Sequence, residues 1–217
     1  MALAVATAQS PKRRFFWPSA LVVFAALVSH LPSFVHQLFD PDEGAIATLG
    51  MVASRSGVLY RDVIDRKPPV APLLYGTVFK ITGTLDLRFV HVVLALELGA
   101  CALLLAAEAR RYAGRSAGWW AAGLFLAGAI AFAPRDAQAA NFSQVALLPA
   151  CAAIVAARCN SARSAMVAGV MLGLAVLTRQ TWIVGIVPAA FAAWYHGRRQ
   201  LGRAALVVAG FPGMFRL

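Results

Sequence analysis

Acidic side chains are scarce in this chain of 217 residues: nine Asp and Glu stand against twenty Lys and Arg, for a net charge of +11. Charge of either sign is scarce too, at 13% of residues, where a soluble domain carries about 25%. That shortage excludes a water-soluble globule. With 60% hydrophobic residues and a mean hydropathy of +0.71, too little polar surface remains to wet the outside, so an integral membrane protein is expected. The basic excess does not indicate nucleic acid, because the Lys and Arg residues sit at the ends of apolar runs rather than in a stripe. Cysteine is also rare. Cys101, Cys151 and Cys159 lie in or at the ends of apolar segments, with neither metal-ligand spacing nor a disulfide framework, and read as small buried hydrophobes. There is no glycine-rich phosphate loop, no Cys/His cluster and no Ser-His-Asp arrangement. No inverted repeat is visible, which weakens a transporter reading.

What remains is a series of apolar runs separated by polar turns. The expected fold class is all-α: a polytopic transmembrane helical bundle with interfacial helices in its first external loop. Lys12, Arg13 and Arg14 precede the first run, as in a signal peptide. That run carries Phe16, Trp17, Phe24 and Phe34 and ends in no small-x-small cleavage site, so it reads as a retained first helix. The domain reading is a cytoplasmic tail over 1–15 and a membrane domain over 16–217. Spans are expected at about 16–38, 87–109, 117–134, 143–158, 165–178 and 181–196, with an incomplete one over 204–217. Residues 39–86 form the external loop. Within it, Ile46, Leu49 and Ala53 recur at helical spacing and predict a short interfacial helix over 43–56. The apolar stretch 69–82 is too short to cross where about twenty residues are needed. Spans four to six are short as well, which predicts burial among other helices near a wet cavity. Trp119-Trp120 suit an interfacial belt, and Gly169, Gly173 and Gly185 fall at helix-packing positions.

Orientation follows from counting. With the N-terminus inside and 69–82 not crossing, the inside loops hold Lys12, Arg13, Arg14, Arg110, Arg111, Arg115, Arg158, Arg163, Arg198, Arg199 and Arg203, and no acid. The outside loops then hold Asp40, Asp42, Glu43, Asp62, Asp65, Asp86 and Asp136. A crossing at 69–82 would break this segregation, so the positive-inside rule favours the non-crossing arrangement.

Two polar clusters share that outer face. In Asp40-Pro41-Asp42-Glu43-Gly44, three carboxylates fall within four residues. Paired carboxylates on a loop held by a helix end can deprotonate a hydroxyl or amine, or bind a divalent ion. They also suit the N-terminus of a helix, facing its dipole, with Asp40 as the cap. In the second cluster, Arg61, Arg66 and Lys67 can hold a phosphate or pyrophosphate. The alternative is binding of ordinary anionic headgroups, or pairing with Asp62 and Asp65. Pro68-Pro69 stiffens the chain just after Lys67 and would aim it. Tyr60 and Tyr75 read as belt residues or as hydroxyls near the site. Arg135, Asp136 and Arg179 lie on other outer turns and are further candidates for phosphate or acceptor contacts. Glu97, inside the second span, is a functional candidate because an ionisable group there is costly; its alternative is pairing with another helix or with His91.

The order of these pieces resembles a known family. An apolar helix, Asp-Pro-Asp-Glu-Gly at 40–44, an interfacial helix, Tyr60-Arg61-Asp62 and Asp65-Arg66-Lys67-Pro68-Pro69 are similar to the polytopic lipid-linked-sugar glycosyltransferases of the GT-C class. Within that class the chain looks most like the protein O-mannosyltransferase-like group and the bacterial aminoarabinose transferase that modifies lipid A. Ala140-Asn141-Phe142 with Leu148-Pro149, and the stretch from Gly173 to Gln180, look like the same family's continuing helices. The resemblance implies a polyprenyl-phosphate sugar donor and a lipid, glycan or protein acceptor. It implies Asp42 as base or acceptor-orienting group with Glu43 beside it, and Lys67, with Arg61 and Arg66, neutralising the donor phosphate. Family members often carry a second acid on the next external loop, where Asp136 is the one available here. No cofactor is required by the sequence, and metal dependence is left open. Family members also run on through more helices, so the sequence reads as C-terminally truncated or as one part of a split enzyme. The competing reading is a non-catalytic membrane protein that binds a lipid-linked sugar. The Ala- and Arg-rich composition suits a GC-rich bacterium, hence an inner membrane with the site facing the periplasm.

Overall fold

The computed structural model describes residues 13–36, 38–63, 67–132, 134–196 and 201–211. Among them the chain is all-α, as expected, with no strand. The elements are α1 (Arg13–Ser29), α2 (Leu31–Val35), α3 (Pro41–Ser54), α4 (Val70–Thr82), α5 (Arg88–Phe132), α6 (Pro134–Gln138), α7 (Phe142–Arg158), α8 (Ala162–Val176), a 3-10 turn (Gln180–Gly185), α9 (Ile186–His196) and α10 (Leu201–Gly210). Arg66, Asp65, Lys12, Arg198 and Arg199, named above, lie outside the described residues.

α5 is two helices in one. Its backbone leaves helical geometry at Ala113 and at Gly114, where φ is +83°. Glycine takes that left-handed angle without a Cβ clash, so the chain can reverse there. Ala102 and Ala106 from 88–112 then share a core cluster with Ala122 and Leu126 from 115–132. A Cβ on Gly118 would overlap Arg110, which lies over the Trp119 ring, 5.6 Å from its centroid. Among the described residues, only the stretch Arg88–Ala131, within α5, is long and apolar enough to cross a membrane, and the other apolar helices are shorter.

Two further departures from regular helix have local causes. The first apolar run does not continue as one helix. It ends at Ser29, turns at His30 and resumes as α2, because Pro32 near the start of α2 has no N–H to extend the ladder. The stretch from Gln180 starts as a 3-10 turn and becomes α-helical only at Ile186. Pro188 sits there in the first α-helical turn, where its missing N–H is tolerated.

The helices sort the polar residues to two ends. α7 starts at Asn141, its cap, and ends at Arg158. Its 17 residues separate the ends by about 25 Å. α8 then runs back. At the Arg158 end, Glu108 sits between Arg111 at 3.0 Å and Arg158 at 2.8 Å, and Arg158 lies over the Tyr112 ring. Arg203 of α10 reaches the same turn, donating to Asn160 and to the carbonyls of Cys159 and Ser161. Glu108 is thus an acid within the arginine-rich end. At the other end lie the residues of the first loop.

Close helix crossings hold this arrangement. α3 meets α4 where a Cβ on Gly50 would come within 2.5 Å of the Tyr75 Cβ. α8 meets α10 where a Cβ on Gly169 would overlap the Val207 carbonyl. Glu97 does not pair with His91. Its Oε1 accepts from the Leu148 amide of α7 at 3.0 Å, one residue before Pro149 interrupts that helix. His91 faces Glu43 instead, with Nε2 3.8 Å from Oε1.

Candidate active site at the acidic end of the bundle

α3 begins the way its sequence dictates. Asp40 is the N-cap, its Oδ1 accepting from the Asp42 amide at 3.0 Å, and Pro41 takes the first helical position. Glu43, three residues past the cap, folds back to complete a capping box. Its Oε2 accepts from the amides of Phe39 and Asp40. Its Oε1 accepts from the amide of Ala140 on the second loop. Glu43 therefore has no exposed surface and turns away from solvent. The helix start leaves the Asp42 side chain half-exposed.

The second loop is gripped from both sides. Glu43 holds the N–H of Ala140, while the Tyr75 hydroxyl of α4 donates to its carbonyl at 2.6 Å. Burial, with Glu43 beside it, pushes the Tyr75 phenol well above its ordinary pKa, so it stays a donor. Just beyond, Asn141 caps α7, accepting from the amides of Ser143 at 2.9 Å and Gln144 at 3.1 Å. This fixes Phe142 at the first position of α7.

Lys67 arrives from the first loop. The Tyr60 hydroxyl donates to its carbonyl at 2.7 Å, and the amide of Val70 donates to the Leu177 carbonyl at the end of α8. Its Nζ lies 2.6 Å from Asp42 Oδ1 and 4.9 Å from the centroid of the Phe142 ring. The two residues singled out for base and phosphate chemistry, 25 positions apart in sequence, thus meet in space.

They share a cavity of about 490 Å³ lined also by Asp40, Asp136, Asn141, Ser143 and the run Thr178 to Thr181. Arg179 lies on its wall and is exposed. The cavity wall therefore carries carboxylates, an ammonium and a guanidinium together. Such a cavity can hold an anionic group against Lys67 and Arg179 while a carboxylate orients a neighbouring hydroxyl or amine.

Not every candidate is brought here. Arg61 donates to Asp62 through Nε at 2.9 Å and is 72% exposed, outside the cavity. Its guanidinium, with the Val58 amide, lowers the Asp62 pKa and closes a small turn there. Arg135 donates from Nε to the Phe39 carbonyl at 2.6 Å and lines a separate recess beside Asp40. Asp136, its neighbour, does line the cavity. Arg66 lies outside the described residues. Sequence reasoning gave no role to Phe142, Asn141, Thr178, Gln180 or Thr181 as cavity walls. The signal for them was position: each borders a short apolar helix at the end that carries the acids.

Comparison with known proteins adds one match. Residues 66–214 fit the family model for dolichyl-phosphate-mannose-protein mannosyltransferases. Lys67, Asp136, Phe142 and Arg179 lie inside the matched range, and the acidic segment 40–44 precedes it. No curated protein and no solved structure matches the chain. Because the match spans more than half of the sequence, the chain belongs to the dolichyl-phosphate-mannose-protein mannosyltransferase family of membrane glycosyltransferases, which use lipid-linked sugar donors.

Proposed function

We propose that the chain transfers a sugar from a polyprenyl-phosphate donor to an acceptor on the membrane face opposite the arginine-rich end. The observation that carries this reading is the meeting of Asp42 and Lys67 at 2.6 Å in a cavity that Arg179 also lines. The sugar anomeric carbon would lie in the cavity beside this pair, with the acceptor toward Asp42 and the phosphate toward Lys67 and Arg179. An acceptor hydroxyl or amine attacks that carbon, its proton passes to the Asp42 carboxylate, and the bond from carbon to phosphate oxygen breaks. The electron pair leaves with the polyprenyl phosphate, whose charge grows from one to two. Lys67 and Arg179 are the cations placed to hold it. Phosphate held this way is an adequate leaving group, so no nucleotide is required. Attack from the side opposite the phosphate inverts the anomeric centre.

Arg179 takes the second clamp position here. Arg61 is committed to Asp62 on an exposed turn, and Arg66 follows by sequence alone. Glu43 supports Asp42 through the backbone. The positive-inside distribution puts the N-terminus in the cytoplasm and the cavity on the far side, the periplasm in a bacterial inner membrane. The acceptor class is a lipid, glycan or protein.

The test is sugar transfer in membranes containing this chain, with labelled polyprenyl-phosphate sugars as donors. Asp42→Asn and Lys67→Ala are each expected to abolish transfer by at least about a hundredfold. Full transfer in both would remove these residues from the chemistry. Donor binding without transfer in the wild type would identify instead a membrane protein that binds a lipid-linked sugar.

A further inference from the structure

Lys67 is asked to do two things at once. Its ammonium sits on Asp42 Oδ1, and the same side chain lines the cavity that the donor phosphate would enter. While it holds that oxygen, its positive charge sits against the carboxylate that the acceptor's proton must approach, and the two repel. The ammonium also lies against the face of Phe142. An aromatic face attracts a cation whichever anion is beside it. Phe142 is buried, fixed at the start of α7 by the Asn141 cap and by the two-sided grip on Ala140. It is a rigid seat for a long flexible stem.

Building on the glycosyltransferase reading, we infer that Phe142 is a positioning residue for Lys67, and that Asp42, Lys67 and Phe142 form a latch that the donor phosphate opens. Arg179 meets the single charge of the incoming donor. As the bond to the sugar breaks, the phosphate gains its second charge and draws the ammonium off Asp42. The ammonium slides across the Phe142 ring without losing contact with it. Asp42 Oδ1 is freed at the moment the acceptor's proton must be taken. The exchange is strongest in the transition state, where it contributes to rate rather than to ground-state binding. Proton and charge balance: the proton goes to Asp42, the electron pair to the phosphate, and the ammonium changes partner.

The latch makes a prediction that a plain salt bridge does not. Removing the carboxylate that competes for Lys67 tightens binding of the doubly charged product. Polyprenyl phosphate binding is measured for purified wild type and variants in detergent, with thermal unfolding of each as the fold control. Asp42→Asn is expected to bind about tenfold more tightly than wild type. Asp136→Asn removes the same charge from the same cavity but leaves the Lys67–Asp42 pair in place, and is expected to gain less than about threefold. In a Lys67→Ala background the extra gain from Asp42→Asn disappears, because the competition is gone. For transfer, Phe142→Leu is expected to lower kcat by about tenfold with little change in donor KM, and Phe142→Tyr, which keeps the ring face, to restore it. Equal gains from the two Asp→Asn changes, or a gain that persists without Lys67, would overturn the latch while leaving the glycosyltransferase reading in place. A folded wild type that neither binds polyprenyl phosphate nor transfers sugar would overturn both.

Discussion

Glu43 shows what a buried carboxylate demands at the level of one residue. Taken out of water, its oxygens must be matched by donors, and here amides from Phe39, Asp40 and Ala140 supply them. It is therefore a joint between the first and second loops, and its neighbour Asp42 is left free to face the cavity. Removing it orphans buried amides at about 1–3 kcal/mol each. Glu43→Ala is expected to lower stability by about 3 kcal/mol, read as a drop in the unfolding midpoint in detergent. Asp42→Asn breaks only a partly exposed pair and is expected to cost no more than about 1 kcal/mol. If Glu43→Ala unfolds at the wild-type midpoint, the joint carries no weight.

At the scale of the element, α7 is the helix on which the site depends. Asn141 starts it, Phe142 faces Lys67, and Pro149 sits about two turns further along. A proline inside a helix removes an amide and its ring presses on the carbonyl four residues back. Glu97 from α5 accepts from the Leu148 amide just before it and ties the two helices there. Glu97→Gln keeps an acceptor oxygen at that place and is expected to leave the helix intact. Glu97→Ala is expected to cost about 1–3 kcal/mol and to speed hydrogen exchange at Leu148 and the residues around it. Equal behaviour of the two variants would mean the carboxylate is not what steadies α7.

At the scale of the whole molecule, one end collects arginines and the other the cavity. Arg111, Arg158 and Arg203 converge with Glu108 on one side, and Asp42, Asp136 and Arg179 on the other. A topology follows that labelling can check. In a version lacking the three native cysteines, Thr84→Cys is expected to react with an impermeant maleimide from outside the cell membrane. Arg163→Cys is expected to react only after permeabilisation. The opposite pattern would put the cavity on the cytoplasmic side and end the proposed orientation.

Composition and periodicity alone were enough for the all-α class and for the helical nature of 43–56, because burying apolar residues at a 3.6-residue period leaves few alternatives. The capping role of Asp40 was legible for the same kind of reason: it needs only local geometry. Other outcomes depended on contacts far apart in sequence. Whether Asp42 and Glu43 would act together could not be read from adjacency. A helix N-terminus turns successive side chains in different directions, and the amide of Ala140, 97 residues away, took Glu43 out of the cavity. Arg61 and Lys67 looked equivalent as neighbouring cations. The Tyr60 and Pro68-Pro69 anchors brought one to Asp42 and Phe142, while Asp62 kept the other on an exposed turn. Glu97 found its partner in the Leu148 amide, beside a proline on another helix, rather than in the nearest histidine. Local propensities determine which residues can be helical and which can cap. Which charge meets which is a matter of tertiary packing, because the strength of such pairs depends on distances and burial that no single segment contains.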